Sequence, residues 1–224
     1  SASESAVRFD ITPGGFAKRN VASRDEFPLE AWRRDFAWYM NVVAVSNGTK
    51  NIDARILCTV MSDDLSQTGA IDVQPWGTGE GGIWVYMDLI DGGTSNTVNL
   101  YLYASDDSNL PNNNDNHVTL ESFSFNQDDG QPLAVFLSLT RESETSQAFH
   151  YRLRVTNDSG VVGTTLSGTT DTGINETDLL ADELADGVFV AFSVNNRDDG
   201  SAAIDLERIT VSKVPPFGAV MVIR

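Results

Sequence analysis

Cysteine, histidine and lysine are nearly missing from this chain. There is 1 Cys in 224 residues, so Cys58 has no internal disulfide partner. His numbers only 2, which closes off a zinc site built from several Cys and His ligands at recognisable spacing. Cys58 sits in the apolar run Ile56–Met61 and is expected to be a small buried core residue, inert without a neighbouring base. No apolar run approaches the roughly 20 residues that span a bilayer as a helix, so membrane insertion is not expected. Ser1–Ala6 is polar, with neither a cationic start nor an apolar centre, and does not read as a signal peptide. No serine elbow, phosphate loop or dinucleotide fingerprint occurs. Gly77–Gly82 is glycine-rich but carries Glu80 and no lysine, which speaks against phosphate binding. No repeat of fixed period is found.

What is present is acid. The net charge is −17, and a field of that sign repels nucleic acid. Asp clearly outnumbers Glu, and Arg outnumbers Lys, which occurs only at Lys18, Lys50 and Lys213. Two explanations stand side by side: a secreted or cell-surface protein from a saline or calcium-containing setting, or ordinary acidity for solubility. Hydrophobic residues make up 41%, enough for a packed core, and the length suits one β-sandwich domain over 1–224.

Strand-like runs recur at short intervals, with Asp, Asn, Gly, Ser and Thr filling the gaps. Phe36–Val45 alternates, with Phe36, Trp38, Met40 and Val42 on one face and Tyr39 and Asn41 on the other. Arg55–Met61 follows, after the turn signal Asn47-Gly48. Gly82–Ile90 and Thr97–Ala104 read as a hairpin, Val118–Phe125 as a strand, and Leu133–Arg141 with Ala148–Thr156 as a second hairpin. Val161–Leu166, Val188–Asn195 and Ala202–Lys213 complete the pattern. Shorter elements are expected at Val7–Ile11, Ile71–Val73 and Val220–Ile223, with a helical turn at Leu29–Arg34 and a short helix at Asp178–Asp186. A parallel sheet would need crossover helices between strands. The expectation is therefore an all-β, antiparallel two-sheet β-sandwich.

Two segments carry a resemblance. Leu133–Val155 reads LAVFLSLTRESETSQAFHYRLRV, and the closing strand pair reads GVFVAFSVNNRDDGSAAIDLERITV. Together they resemble the concanavalin A-like lectin/glucanase superfamily, including laminin-G-type modules, over roughly the last 90 residues. The resemblance implies a jelly roll of two packed sheets, one curved, with ligands on the concave face or its rim. It also implies glycan binding, glycoside hydrolysis or polysaccharide elimination, often with calcium. The chain departs from the enzymatic branches. The E-x-D-x-x-E strand of the hydrolases is missing; Asp205-Leu206-Glu207 is its nearest echo, with the wrong spacing. The Arg-x-Glu-x-Arg and Gln-x-His strands of alginate lyases are missing too.

Three strands segregate an apolar face from one rich in ring and polar groups. Trp84, Tyr86 and Asp88 alternate with Ile83, Val85, Met87 and Leu89. Asn99, Tyr101 and Tyr103 alternate with Val98, Leu100 and Leu102. His150, Arg152 and Arg154 alternate with Phe149, Tyr151, Leu153 and Val155. If these second faces shared one sheet they would form a groove in which rings stack on pyranoses and Asp, Asn and Arg bond hydroxyls. The plainer explanation is solvent-facing β positions. The groove reading selects Trp84, Tyr86, Asp88, Tyr101, Tyr103, His150 and Arg152 as polysaccharide-binding residues, with Trp32 and Trp76 at a rim. A lyase reading of the same stripe uses His150 or Tyr101 as base and Arg152 to neutralise a uronate; His117 is expected as an exposed residue in or beside a loop. A structural or adhesive surface module is the third alternative. For calcium, Asp106, Asp107 and Asp115 in one Asn/Asp loop, and Asp198 and Asp199 near the last turn, supply hard oxygen donors. Asp and Asn also dominate turns for conformational reasons alone.

Overall fold

A computed structural model describes residues 6–11, 18–23, 27, 33–46, 54–61, 82–90, 96–105, 117–125, 131–141, 149–157, 160–161, 166–169, 188–196 and 201–214. They form the strands β1 (Val7–Ile11), β2 (Lys18–Ala22), β3 (Arg33–Ser46), β4 (Ala54–Met61), β5 (Gly82–Ile90), β6 (Asn96–Ser105) and β7 (His117–Phe125). Then follow β8 (Gln131–Arg141), β9 (Phe149–Asn157), β10 (Gly160–Val161), β11 (Leu166–Thr169), β12 (Phe189–Asn196) and β13 (Ser201–Val214). No described residue is helical.

The strands make two antiparallel sheets. A 7-stranded sheet runs β1-β13-β3-β8-β9-β10, with β11 also paired to β9. A 6-stranded sheet runs β2-β12-β4-β5-β6-β7. Their facing sides fuse into one apolar layer. Phe36, Trp38, Met40 and Val42 of β3 and Leu133, Val135, Leu137 and Leu139 of β8 face the other sheet. They meet Ile56, Cys58 and Val60 of β4, Ile83, Val85, Met87 and Leu89 of β5, and Val190, Phe192 and Val194 of β12. Burying one large side chain of this kind contributes about 1.5–3 kcal/mol, so the facing rows dominate cohesion. Two specific contacts join the layers: Trp38 Nε1 donates to the Ala191 carbonyl at 3.1 Å, and Phe9 meets Phe192 edge-on with centroids 5.2 Å apart. Cys58 is buried in this core, and burial pushes its thiol up, as expected of an inert core residue.

A bulge in β13 sets what each face presents. Ala202, Ile204 and Leu206 point into the core, and beyond them Ile209 and Val211 pack against it. That change of phase is absorbed at Glu207, where the register steps from Leu206↔Met40 to Arg208↔Tyr39. One extra residue thereby turns Arg208 outward while the next apolar pair still faces inward.

Both sequence hairpins form, as β5–β6 and β8–β9. The closing strand pair does not: β12 lies in the 6-stranded sheet and β13 in the other. β3 and β4 are likewise in different sheets. Arg33 and Arg34 belong to β3 rather than to a helical turn. The strand expected at Val161–Leu166 is described only at its ends, in β10 and β11. Ile71–Val73, Asp178–Asp186, Val220–Ile223 and the Asn47-Gly48 turn lie outside the described residues.

Candidate functional site

On β4, β5 and β12, the side of the 6-stranded sheet that faces away from the core is also buried, and it carries polar groups. Three register rows cross it. The first runs Ala191, Thr59, Trp84, Tyr103 and His117 from β12 to β7. The second runs Asn20, Ser193, Leu57, Tyr86, Tyr101 and Thr119 from β2 to β7. The third runs Lys18, Asn195, Arg55, Asp88, Asn99 and Ser122. Strand alternation forces this: residues two apart on β4, β5 and β12 share a side, and pairing stacks them across the sheet. Thr59, Trp84 and Asn195 are 0% exposed, Ser193 1%, Tyr86 2% and Asp88 4%. These are not the solvent-facing positions that the alternation of β5 alone allows.

Within the rows, Arg55 Nε donates to Asp88 Oδ1 at 3.0 Å, and the Arg55 guanidinium lies 5.0 Å from the centre of the Tyr86 ring. A buried ion pair holds its geometry only while both partners remain. Beside it are polar atoms with no partner: Thr59 Oγ1, Ser193 Oγ, and both Asn195 Oδ1 and Nδ2. Natural interiors rarely tolerate such groups, each costing about 1–3 kcal/mol. Four such atoms stand on one face of β4 and β12.

The sequence-selected residues divide between two places. Trp84, Tyr86 and Asp88 share this face with the register positions of Tyr101 and Tyr103. His150 and Arg152 do not join them. They lie with Arg154 on β9, in the 7-stranded sheet, exposed on its outer side with the core between. The single groove expected from the three strands is therefore not formed, nor is the grouping of His150 and Arg152 with Tyr101. Alternation gives every strand of a sandwich a non-core side, but the two sheets aim those sides in opposite directions. His117 is the first residue of β7, opposite Tyr103, and so stands beside the Asn/Asp segment rather than within it. Asp106, Asp107, Asp115, Asp198, Asp199, Trp32 and Trp76 lie outside the described residues. Among the described residues, no three His, Cys, Asp or Glu are grouped to hold a metal ion.

Sequence reasoning missed Arg55, Thr59, Ser193 and Asn195. A signal was available: Arg55–Met61 and Phe189–Val194 do not alternate cleanly but are apolar almost throughout. That is how strands covered on both sides read.

These features define an all-β sandwich with a buried polar layer behind one sheet. More particularly, the fold is concanavalin A-like. The carbohydrate recognition domain of Emp47p superposes with a TM-score of 0.57 at 13% identity, covering 94% of this chain and 86% of that one. The corresponding domain of Emp46p gives 0.54 at 12% identity, covering 91% and 82%. A xylan β-1,4-xylosidase from Bacillus halodurans gives 0.50 at 9% identity, covering 92% of this chain but 32% of the enzyme. At such identities the likeness is one of fold alone. No protein-family model and no curated protein matches the sequence.

Proposed function

We propose that the protein binds a polysaccharide on the non-core side of its 6-stranded sheet, as a lectin-like domain or carbohydrate-binding module. The observation that carries this is the set of unpartnered polar atoms on Thr59, Ser193 and Asn195, beside the Arg55–Asp88 pair and the Trp84 and Tyr86 rings. A saccharide offers matching chemistry: hydroxyls that donate and accept for the orphaned groups, and apolar ring faces for the aromatic side chains. The likeness to two carbohydrate recognition domains supports the same reading at the level of fold. Because the face is buried, a sugar chain must gain entry before it binds. Association then falls below the about 10⁵–10⁷ M⁻¹s⁻¹ typical of open sites.

Titration with a panel of neutral and acidic glycans, followed by tryptophan fluorescence, tests the proposal. A saturable change that is lost or weakened in Tyr86→Phe and Thr59→Val supports it. Absence of response to every glycan, or equal affinity in both variants, ends it.

One observation favours a second reading, elimination from a uronate-containing chain. β7 places His117 in the row of Tyr103, and Arg55 and Lys18 occupy a nearby row. These are residue types that supply a base and neutralise a carboxylate. Digestion of alginate, pectin and glucuronan would release unsaturated products with new ultraviolet absorbance. Binding without such absorbance leaves only the first reading.

A further inference from the structure

The opposite side of the molecule carries a second and different feature. On the outer side of the 7-stranded sheet, three register rows cross from β13 to β9. One holds Arg208, Tyr39 and Ala134, the next Thr210, Ala37, Phe136 and Arg154, and the third Ser212, Asp35, Ser138 and Arg152. Ala37 occupies the middle of this lattice. Its methyl group is far shorter than the side chains around it, so a hollow of about 330 Å³ opens there, lined by Tyr39, Phe136, Arg152, Arg154 and Thr210 among others. That volume lies at the lower end of the range for small-ligand sites.

Aromatic rings that line the hollow hold cations in place. The Arg154 guanidinium lies over the Phe136 ring, 4.5 Å from its centre. The Arg208 guanidinium lies over Tyr39 at 4.0 Å. The two rings brace each other edge-on, 5.7 Å apart. Each stack leaves the rim of the guanidinium, with its N–H donors, free to point outward. Arg152 precedes Arg154 by two residues on the same side, about 7 Å along the strand. Among the described residues, no carboxylate is ion-paired with Arg152, Arg154 or Arg208. In a chain of net charge −17, Arg152 and Arg154 on the wall of the hollow, with Arg208 behind its Tyr39, form a local field opposite to that of the whole molecule.

From this arrangement we infer a second binding site, separate from the face of the 6-stranded sheet and selective for an oligosaccharide bearing carboxylate or sulfate groups. The arginine rims pair bidentately with an oxyanion. Ser138, Thr210 and Ser212 offer hydroxyl partners to the sugar. Asp35, which lines the same hollow, disfavours a ligand that is anionic throughout, such as an acidic peptide. A sugar acid combines both chemistries.

The test uses the full chain and calorimetric titration with four probes: a galacturonate tetrasaccharide, a sulfated galactan oligosaccharide of matched length, cellotetraose and polyglutamate. The acidic sugars should bind, more weakly as salt is raised. Arg152→Gln and Arg154→Gln should each weaken them about tenfold or more, the scale of a charged hydrogen bond. Ala37→Leu, which fills the hollow and leaves every charge in place, should weaken them similarly. Thr59→Val, on the other sheet, should leave this binding unchanged. Preference for carboxylate over sulfate, or the reverse, identifies which group the site reads. The inference is overturned if no acidic sugar binds, if cellotetraose or polyglutamate binds equally well, or if the arginine variants bind as tightly as the parent. Acidic-sugar binding that responds to Thr59→Val but not to the arginine variants would also overturn it, while leaving the first site standing.

Discussion

Thr59→Val should make the free protein more stable and its saccharide complex weaker. Thr59 is 0% exposed, its Oγ1 has no partner, and it sits between Ala191 and Trp84 in the pairing register. Valine keeps the branched β-carbon and the strand preference and removes only the hydroxyl. An unpartnered buried hydroxyl costs about 1–3 kcal/mol. Recovering about 1 kcal/mol raises Tm by about 2–4 °C in a chain of this size. In the complex the hydroxyl is bonded, and a bond contributing about 0.5–1.5 kcal/mol corresponds to an affinity loss of about 2- to 13-fold. Calorimetric melting and titration with the best glycan of the panel measure the two effects on one preparation. A fall in Tm would mean that the hydroxyl is satisfied in the free protein. A rise in Tm with unchanged affinity would mean that the orphaned atom has no part in ligand binding. Either result refutes the argument.

Asp88→Ala strands the Arg55 charge in a buried layer and should cost about 3–5 kcal/mol, read as a lower urea midpoint; Arg55→Met with Asp88→Leu together should cost less, because no lone charge is left. Gly160 has φ +118° and nothing within 4 Å of where a Cβ would sit, so Gly160→Ala should cost about 1–2 kcal/mol from backbone strain alone, measured by the same denaturation. Cys58 should resist thiol reagents in the native protein and react at once in denaturant, since burial holds its thiol in the neutral form. Burial raises both Cys58 and Tyr151 in the fold, so stability is intact at neutral pH and falls as pH climbs through the alkaline range, where the unfolded chain ionises first. Tyr151→Phe should soften that fall.

The architecture was readable because period-two alternation is strong in β3, β5, β8 and β9, and because short polar gaps join β5 to β6 and β8 to β9. What alternation does not encode is whether a strand after a short gap stays in its sheet. Residues 197–200 separate β12 from β13 and look like a hairpin turn, yet they link the two layers. The same blindness misplaced the candidate groove. Trp84 and Arg152 each stand on a face opposite an apolar one, but the layer to which each face belongs depends on pairing with β4 or with β8, set by residues far along the chain. Thr59, Ser193 and Asn195 escaped notice because a lone polar residue in an apolar strand is unremarkable until its neighbours across the sheet are known.

Pairing between the two ends of the described chain bears on how the molecule is made. β13 lies between β1 and β3, with Leu206 opposite Val7. During synthesis, β1 therefore emerges well before its partner and must wait for a segment almost 200 residues further along the chain. Until then the 7-stranded layer has a gap between β1 and β3, and the apolar residues that β13 adds to the core are missing. A chain stopped before Ser201 would lose the strand that joins β1 to β3 and would leave the long β3 edge bare, so truncation there should yield an aggregation-prone product and not a slightly shorter protein.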